Sequence, residues 1–310
     1  MAYPKKRTAS IVAIGLVLIA GAVFYLYYFV ARPIGTGPAG PVVEATEFSR
    51  IWTERSVRLI GLGDSVTAGF GADSIEHSYF NRMITNPADE FPEMQNISLS
   101  TVLPNLSFEN MSVSGSTSLD HIVTIDEKLK TFNEEVFGLV VMTTGGNDII
   151  HSYGRRAPTE GAMYGATVAE AEPWIASFRV RLNTMLDKIT ANFPGGCEIY
   201  LCDIYDPTDT VGDTPSLLLP DWPDGLAVHS KYNEVIRECA AIHPNVFLVP
   251  LHQTFLGHGS HCRQFWKDTY VAEDPTHWYY SNVEDPNDRG YDAIRRIFLN
   301  SIVENSRLLE

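Results

Sequence analysis

The sequence predicts a three-layer α/β/α domain on a mainly parallel, five-stranded sheet. Three observations lead there. Short apolar runs recur along the chain, stretches with apolar residues at helical spacing separate them, and the chemically capable residues follow the ends of the runs.

The elements follow in order. VRLIGLG, from Val57, is mostly apolar and ends at a glycine, as a buried parallel strand does; Arg58 is its one exception. A helix is predicted through HSYFNRMI, and FENMSVS, from Phe108, is a second and weaker strand. FGLVVMTTGG, from Phe137, carries the strongest strand pattern. Over residues 172–192, Trp174, Phe178, Leu182, Met185, Leu186 and Ile189 recur at helical spacing. CEIYLCDI is the next strand. A helix at 228–241, the strand NVFLVP and a final helix in YDAIRRIFLNSIV complete the pattern. In such sheets a ligand lies beyond the carboxyl ends of the strands. Two long loops, 204–227 and 251–287, interrupt the alternation and are expected to act as lids or substrate walls.

The chain has 310 residues, 45% of them hydrophobic, enough for one large core. Lys and Arg total 23 against 38 Asp and Glu, a net charge of -15. That balance argues against nucleic acid as a partner, since a phosphate backbone calls for a basic face. The first residues differ from the rest. Lys5, Lys6 and Arg7 precede an uncharged run from Ile11 to Val30, with Tyr25, Tyr27 and Tyr28 towards its end. As a helix this run reaches ~30 Å, a bilayer core. The tyrosines suit the headgroup level at its outer end, and the basic flank predicts an N-terminus inside, with the remaining chain outside. A cleaved secretion signal is the alternative. The expected organisation is therefore a cytoplasmic flank at 1–10, a transmembrane helix or signal anchor at 11–31, a Gly/Pro-rich linker at 32–46 lifting the domain off the membrane, and one domain at 47–310. Cys197, Cys202, Cys239 and Cys262 are free to pair outside the cytoplasm, with Cys197–Cys239 one conceivable pair and packed free thiols the alternative.

Ser65 is the first chemical candidate. It follows the first strand within GLGDSVTAGFG, where Gly63 and Gly69 permit a sharp exit. Gly115 in ENMSVSGSTS and Asn147 in TTGGNDI stand after two further strands. Neutral donors fixed at such ends suit an oxyanion that develops during acyl transfer.

These blocks, Gly63-Asp64-Ser65, Asn110 with Gly115, and Gly146-Asn147-Asp148, resemble the GDSL-type, or SGNH, hydrolases, a superfamily of esterases and lipases. Val66 stands where the family usually has leucine. The resemblance spans about 57–300 and implies a flavodoxin-like fold. It also implies Ser65 as nucleophile, with the oxyanion held by the Ser65 and Gly115 backbone N–H groups and the Asn147 side chain.

The family's last block is Asp-x-x-His, followed at once by Pro-Asn and a glycine. Here Pro286, Asn287 and Gly290 are present, but Asp285 stands in the histidine place and Asn282 in the aspartate place. Upstream, Asp274-Pro275-Thr276-His277 is a complete Asp-x-x-His. This displaced frame is expected to supply the base, His277, oriented by Asp274. Asp285 is then expected to cap the last helix. His258, His261 and Cys262 form no complete zinc pattern, and Asp206, Asp209 and Asp213 are more simply a solvated acidic loop than a calcium site. No metal or cofactor is expected.

The expected activity is carboxylic-ester hydrolysis through a serine acyl-enzyme, on a small-molecule, lipid or acylated-sugar ester. Acylated envelope glycans and lipids suit a membrane-tethered domain. A noncatalytic carbohydrate- or lipid-binding protein on the same scaffold, or an acyltransferase, are the rivals.

Overall fold

In the computed structural model, which describes residues 4–309 with side chains from Ala9 onward, five parallel strands form one sheet in the order β2-β1-β3-β4-β5. They are β1 (Ser56–Leu62), β2 (Leu106–Asn110), β3 (Val136–Met142), β4 (Cys197–Cys202) and β5 (Val246–Val249). The Lys5, Lys6 and Arg7 side chains of the basic flank lie outside the described residues.

Because successive side chains of a strand point to opposite faces, the apolar strands feed two cores. Leu59, Leu139, Val141 and Tyr200 pack on one face with Tyr291, Ile294 and Phe298. Ile60, Val140 and Ile199 pack on the other with Phe178, Leu182, Val235 and Ile236. The helices between are, in chain order, α1 (Pro4–Tyr25), α2 (Ser65–Ala68), α3 (Tyr79–Ile84), α4 (Leu99–Val102), α5 (Ser118–Lys128), α6 (Gly146–Ile150), α7 (Val168–Ala191), α8 (Gly225–Ile242), α9 (Leu251–Phe255) and α10 (Asp288–Asn305). Thus α7 and α8 cover one face and α10 the other.

Local sequence explains the main boundaries. Thr167 and Glu170 form a reciprocal capping box at the start of α7, their bonds 2.8 Å and 3.2 Å long. Asn287 caps α10 by accepting from Gly290 N at 3.1 Å. The cap is therefore Asn287 and not Asp285, whose carboxylate is engaged elsewhere. Arg295 of α10 is fully buried between Glu90 and Asp292, its Nη2 reaching them at 2.8 and 2.6 Å. Such a group is tolerated in a core because every charge faces its opposite. Helix α5 starts at a capping box, with Thr117 N donating to Asp120 Oδ2 at 2.8 Å, and it packs against α7. All four cysteines are buried free thiols, so the Cys197–Cys239 pair does not form.

Helix α1 continues through a π-helical turn at Leu26–Val30. Over Ala9–Val30 its mean hydropathy is 2.5 and none of it is buried, so by length and composition it is able to cross a membrane. Residues 32–46 lie along the domain. Pro33 O accepts from His277 N at 2.8 Å, Pro38 O from Arg289 at 3.0 Å and Val42 O from Asn300 at 3.0 Å. Ala39 and Val43 are buried. The reason is chemical: Gly and Pro leave main-chain carbonyls exposed in extended backbone, and α10 presents Arg289 and Asn300 to donate to them.

Candidate active site

The sheet reverses its winding between β1 and β3, and the crevice of a doubly wound sheet opens at that point. Ser65 leaves β1 there and Asn147 leaves β3. The exit from β1 requires glycine: Gly63 has φ 140°, and a Cβ on it would come within 2.5 Å of Thr143 O. Asp64 then caps α2, its Oδ1 accepting from Val66 N at 3.1 Å and from Thr143 Oγ1 at 2.9 Å. Burial raises the Asp64 pKa to about 6, against these two bonds. Ser65 is thereby the first residue of a single helical turn that Gly69, at φ 88°, closes.

Asn147 donates from Nδ2 to Ser116 O at 2.8 Å. A primary amide has two such hydrogens, so one is left. Gly115 has φ 80° with open space where a side chain would stand. Among the described residues, neither the Ser65 nor the Gly115 backbone N–H meets an acceptor. Asn110, the other residue of that block, is structural: it donates to Thr67 O and accepts from Ser112 N.

The last block differs from expectation. Asp285 is 3% exposed. Its Oδ2 accepts from Asn282 Nδ2 at 2.7 Å, and Asn282 Oδ1 accepts in return from Asp285 N at 3.2 Å. The Ser65 hydroxyl is the other polar neighbour of the carboxyl. Burial raises the Asp285 pKa, while Ser65 and Asn282 pull it down. Among the described residues Oδ1 has no hydrogen-bond partner, and Ser65, beside the carboxyl, makes no bond of full geometry to it. Such contacts commonly tighten only when substrate binds. The loop is held in one shape by the 2.7 Å bond from Tyr280 N to Asp285 O, with Val283 at φ 58°, a left-handed conformation that a β-branched residue adopts only under constraint.

Asp274 and His277 are not brought together as a base pair. Asp274 meets Arg289 at 2.7 Å and Trp278 Nε1 at 3.3 Å. His277 Nδ1 lies 3.0 Å from Gly259 O, its ring packs on Tyr279, and it does not line the cleft that holds Ser65. Burial, with Arg32 adding to it, lowers the His277 pKa to about 4. The physical reason is the intervening hairpin: Tyr279 bridges Pro286, so the Pro286–Asn287 frame delivers Asp285 to Ser65 and leaves His277 behind it. The spacing of Pro286, Asn287 and Gly290 was the signal for this placement.

The acidic loop is structural too. Asp209 accepts from Gly257, Gly259 and His261 N, all at 2.9 Å, and Asp206 accepts from Thr208 and Thr210 N. Asp213 holds His261 at 2.8 Å. These carboxylates are thus satisfied from within the chain. His258 stacks on Trp278, and burial raises the Cys262 thiol to about 12, which disfavours the thiolate a metal needs.

Around Ser65 opens a cleft. Its polar end carries Asp64, Ser65, Asn147 and Glu284. Its walls are apolar, with Ile149, Ile204, Leu219 and Trp222 prominent. The 204–227 loop supplies much of this wall. Tyr153 donates to Glu284 Oε1 at 3.1 Å across the mouth.

A serine on the strand-to-helix exit of a 2-1-3-4-5 sheet, with amide donors after β2 and β3, defines an α/β/α protein of the SGNH-type fold. The family model described as GDSL-like Lipase/Acylhydrolase family matches residues 62–293, and the chain belongs to that family. No curated protein sequence matches. Among solved structures, an extracellular lipase from Streptomyces rimosus is 18% identical with a TM-score of 0.50, over 79% of this chain and all of that one. A phospholipase A1 from Streptomyces albidoflavus NA297 is 17% identical, TM-score 0.48, over 80% and 99%. An acetylxylan esterase from Geobacillus stearothermophilus is 14% identical, TM-score 0.49, over 81% and 96%. At these identities the likeness is one of fold.

Proposed function

We propose that this protein is a serine-dependent carboxylic-ester hydrolase in which Asp285 takes the place of the usual histidine base. The observation that carries the reading is the Ser65 hydroxyl beside the buried Asp285 carboxyl. Ser65 Oγ attacks the acyl carbon as its proton passes to Asp285. The Ser65 and Gly115 N–H groups and the free Asn147 amide hydrogen hold the oxyanion. The carbon–oxygen bond to the alcohol breaks, and Asp285 returns the proton to the leaving oxygen. Water then attacks the acyl-enzyme, giving its proton to Asp285, and the carboxylic acid departs as Ser65 is re-protonated. Asn282 positions the carboxylate. Burial makes Asp285 a stronger base than an exposed aspartate, which supports this use.

The apolar walls favour an ester with an extended acyl chain, a lipid above an acetylated sugar. Helix α1 is read as a membrane span with Lys5, Lys6 and Arg7 inside and the hydrolase domain outside, which puts such esters within reach. The test compares acetyl and octanoyl nitrophenyl esters with the full chain in detergent, beside Ser65→Ala and Asp285→Asn. Turnover that needs both residues and favours octanoyl supports the reading. Turnover unaffected by Ser65→Ala overturns the nucleophile, and turnover lost in His277→Gln but kept in Asp285→Asn returns the base to His277. The replacement of the histidine also favours a second reading, a binding protein. Saturable lipid binding without Ser65-dependent turnover would establish it.

A further inference from the structure

The loop after α9 carries an exposed aromatic pair that the site does not use. Phe265 is 58% and Trp266 43% exposed. They do not point into empty solvent, because they meet the outer end of α1. Trp266 stacks on Phe24, with ring centres 6.0 Å apart and planes at 15°, and touches Tyr28 and Phe29 at 5.3 and 5.7 Å. Phe265 meets Tyr28 edge-on at 5.6 Å. The Arg263 guanidinium lies 3.4 Å over the Tyr27 ring, and Gln264 donates to Tyr28 O at 3.3 Å. The segment thus reads Arg-Gln-Phe-Trp-Lys over 263–267, an aromatic pair between two cations in a chain that is otherwise strongly acidic.

This contact fixes a height. If α1 crosses a bilayer and leaves it at Val30, Phe24 lies deeper by at most about 9 Å, the α-helical rise over six residues. Anything stacked on Phe24 and Tyr28 lies at headgroup or upper acyl depth. Trp and Phe between cations suit that layer: the rings enter the interfacial region while Arg263 and Lys267 meet lipid phosphates. The docking continues past the helix, since Arg32 Nη2 reaches Ser216 O at 2.5 Å and Ser216 belongs to the turn whose Thr214 and Leu217 line the cleft.

We infer that Phe265 and Trp266 form a second membrane anchor, whose partner is the lipid interface of the bilayer that α1 enters, so that the hydrolase domain lies against the membrane in one orientation. The inference rests on α1 as a membrane span, and a separate readout tests that span.

The full chain is reconstituted in phosphatidylcholine–phosphatidylglycerol vesicles, and alkaline carbonate extraction reports whether α1 is integrated. Tryptophan emission is then quenched with phosphatidylcholine brominated close to the headgroup, or at the chain end, in wild type and Trp266→Tyr. The expected result is a carbonate-resistant chain with a shallow-quenched component that is lost in Trp266→Tyr. Carbonate-resistant protein with equal shallow quenching in both overturns the anchor and leaves the span intact. Extraction by carbonate overturns span and anchor together. Neither result bears on Ser65 turnover, which the detergent assay measures separately.

Discussion

The Asp285 carboxyl lies beside the Ser65 hydroxyl, and Asn282 holds its Oδ2 at 2.7 Å. The pair Asn282–Asp285 occupies the places in which the family carries aspartate and histidine. Of the two competing frames, it is Asn282–Asp285 that the fold brings to Ser65.

The first prediction concerns that substitution. Asp285→Asn should lower kcat by about 10²–10⁴-fold, the range for loss of a general base. The double variant Asn282→Asp/Asp285→His rebuilds the family pattern on the same loop and should exceed wild-type kcat near neutral pH. Steady-state rates on a nitrophenyl ester decide it. A double variant as slow as Asp285→Asn would mean that this loop does not hold the base.

The pH dependence carries a sign. A base works when ionised, and burial raises the Asp285 pKa. The ionised fraction therefore starts to fall at a higher pH than for an exposed aspartate. The acid limb of kcat/KM should lie above the ordinary value of about 4. It should move towards the histidine range in the double variant. A profile from pH 4 to 9 reads this; an unmoved limb would assign it to another group.

Asn147 lines the cleft and spends one of its two amide hydrogens on Ser116 O. Asn147→Ala should reduce kcat by roughly 10²–10³-fold with little change in KM, as for other oxyanion donors. A change confined to KM would make Asn147 a substrate-binding residue instead.

His277 should matter to acid stability. Its folded pKa is depressed to about 4 against 6.5, so the unfolded chain binds more protons between these values. Stability is fully present above 6.5 and is lost as pH falls towards 4, by up to about 3 kcal/mol at 1.36 kcal/mol per unit. His277→Gln keeps a donor for Gly259 O and should flatten that decline in Tm between pH 7 and 4, while ester turnover persists. An unchanged slope would place the acid sensitivity in other buried groups.

Much of this was legible in the sequence. VRLIGLG, FGLVVMTT and CEIYLC are apolar because both faces of a parallel sheet are covered, so length and composition alone identify them as buried strands. Ser65, Gly115 and Asn147 follow β1, β2 and β3, which end on one edge. Local rules reach this far because a strand end and its turn are neighbours in sequence.

The final block was a matter of distance through space. Two frames competed, Asp274–His277 and Asn282–Asp285, and side-chain chemistry favoured the histidine. The tertiary structure places the two frames differently: the Tyr279–Pro286 bridge and the Asn282 turn carry Asp285 to Ser65, while Arg289 takes Asp274 and Gly259 O takes His277. Likewise the 32–46 segment reads as a spacer from its glycines and prolines, yet its carbonyls are bound by side chains some 250 positions later, as with Val42 and Asn300. The sequence by itself determined the strands, their shared edge and the place of Ser65 on it, because these depend on near neighbours. Which side chain lies beside Ser65 depends on contacts between distant segments, and only the tertiary structure decided it.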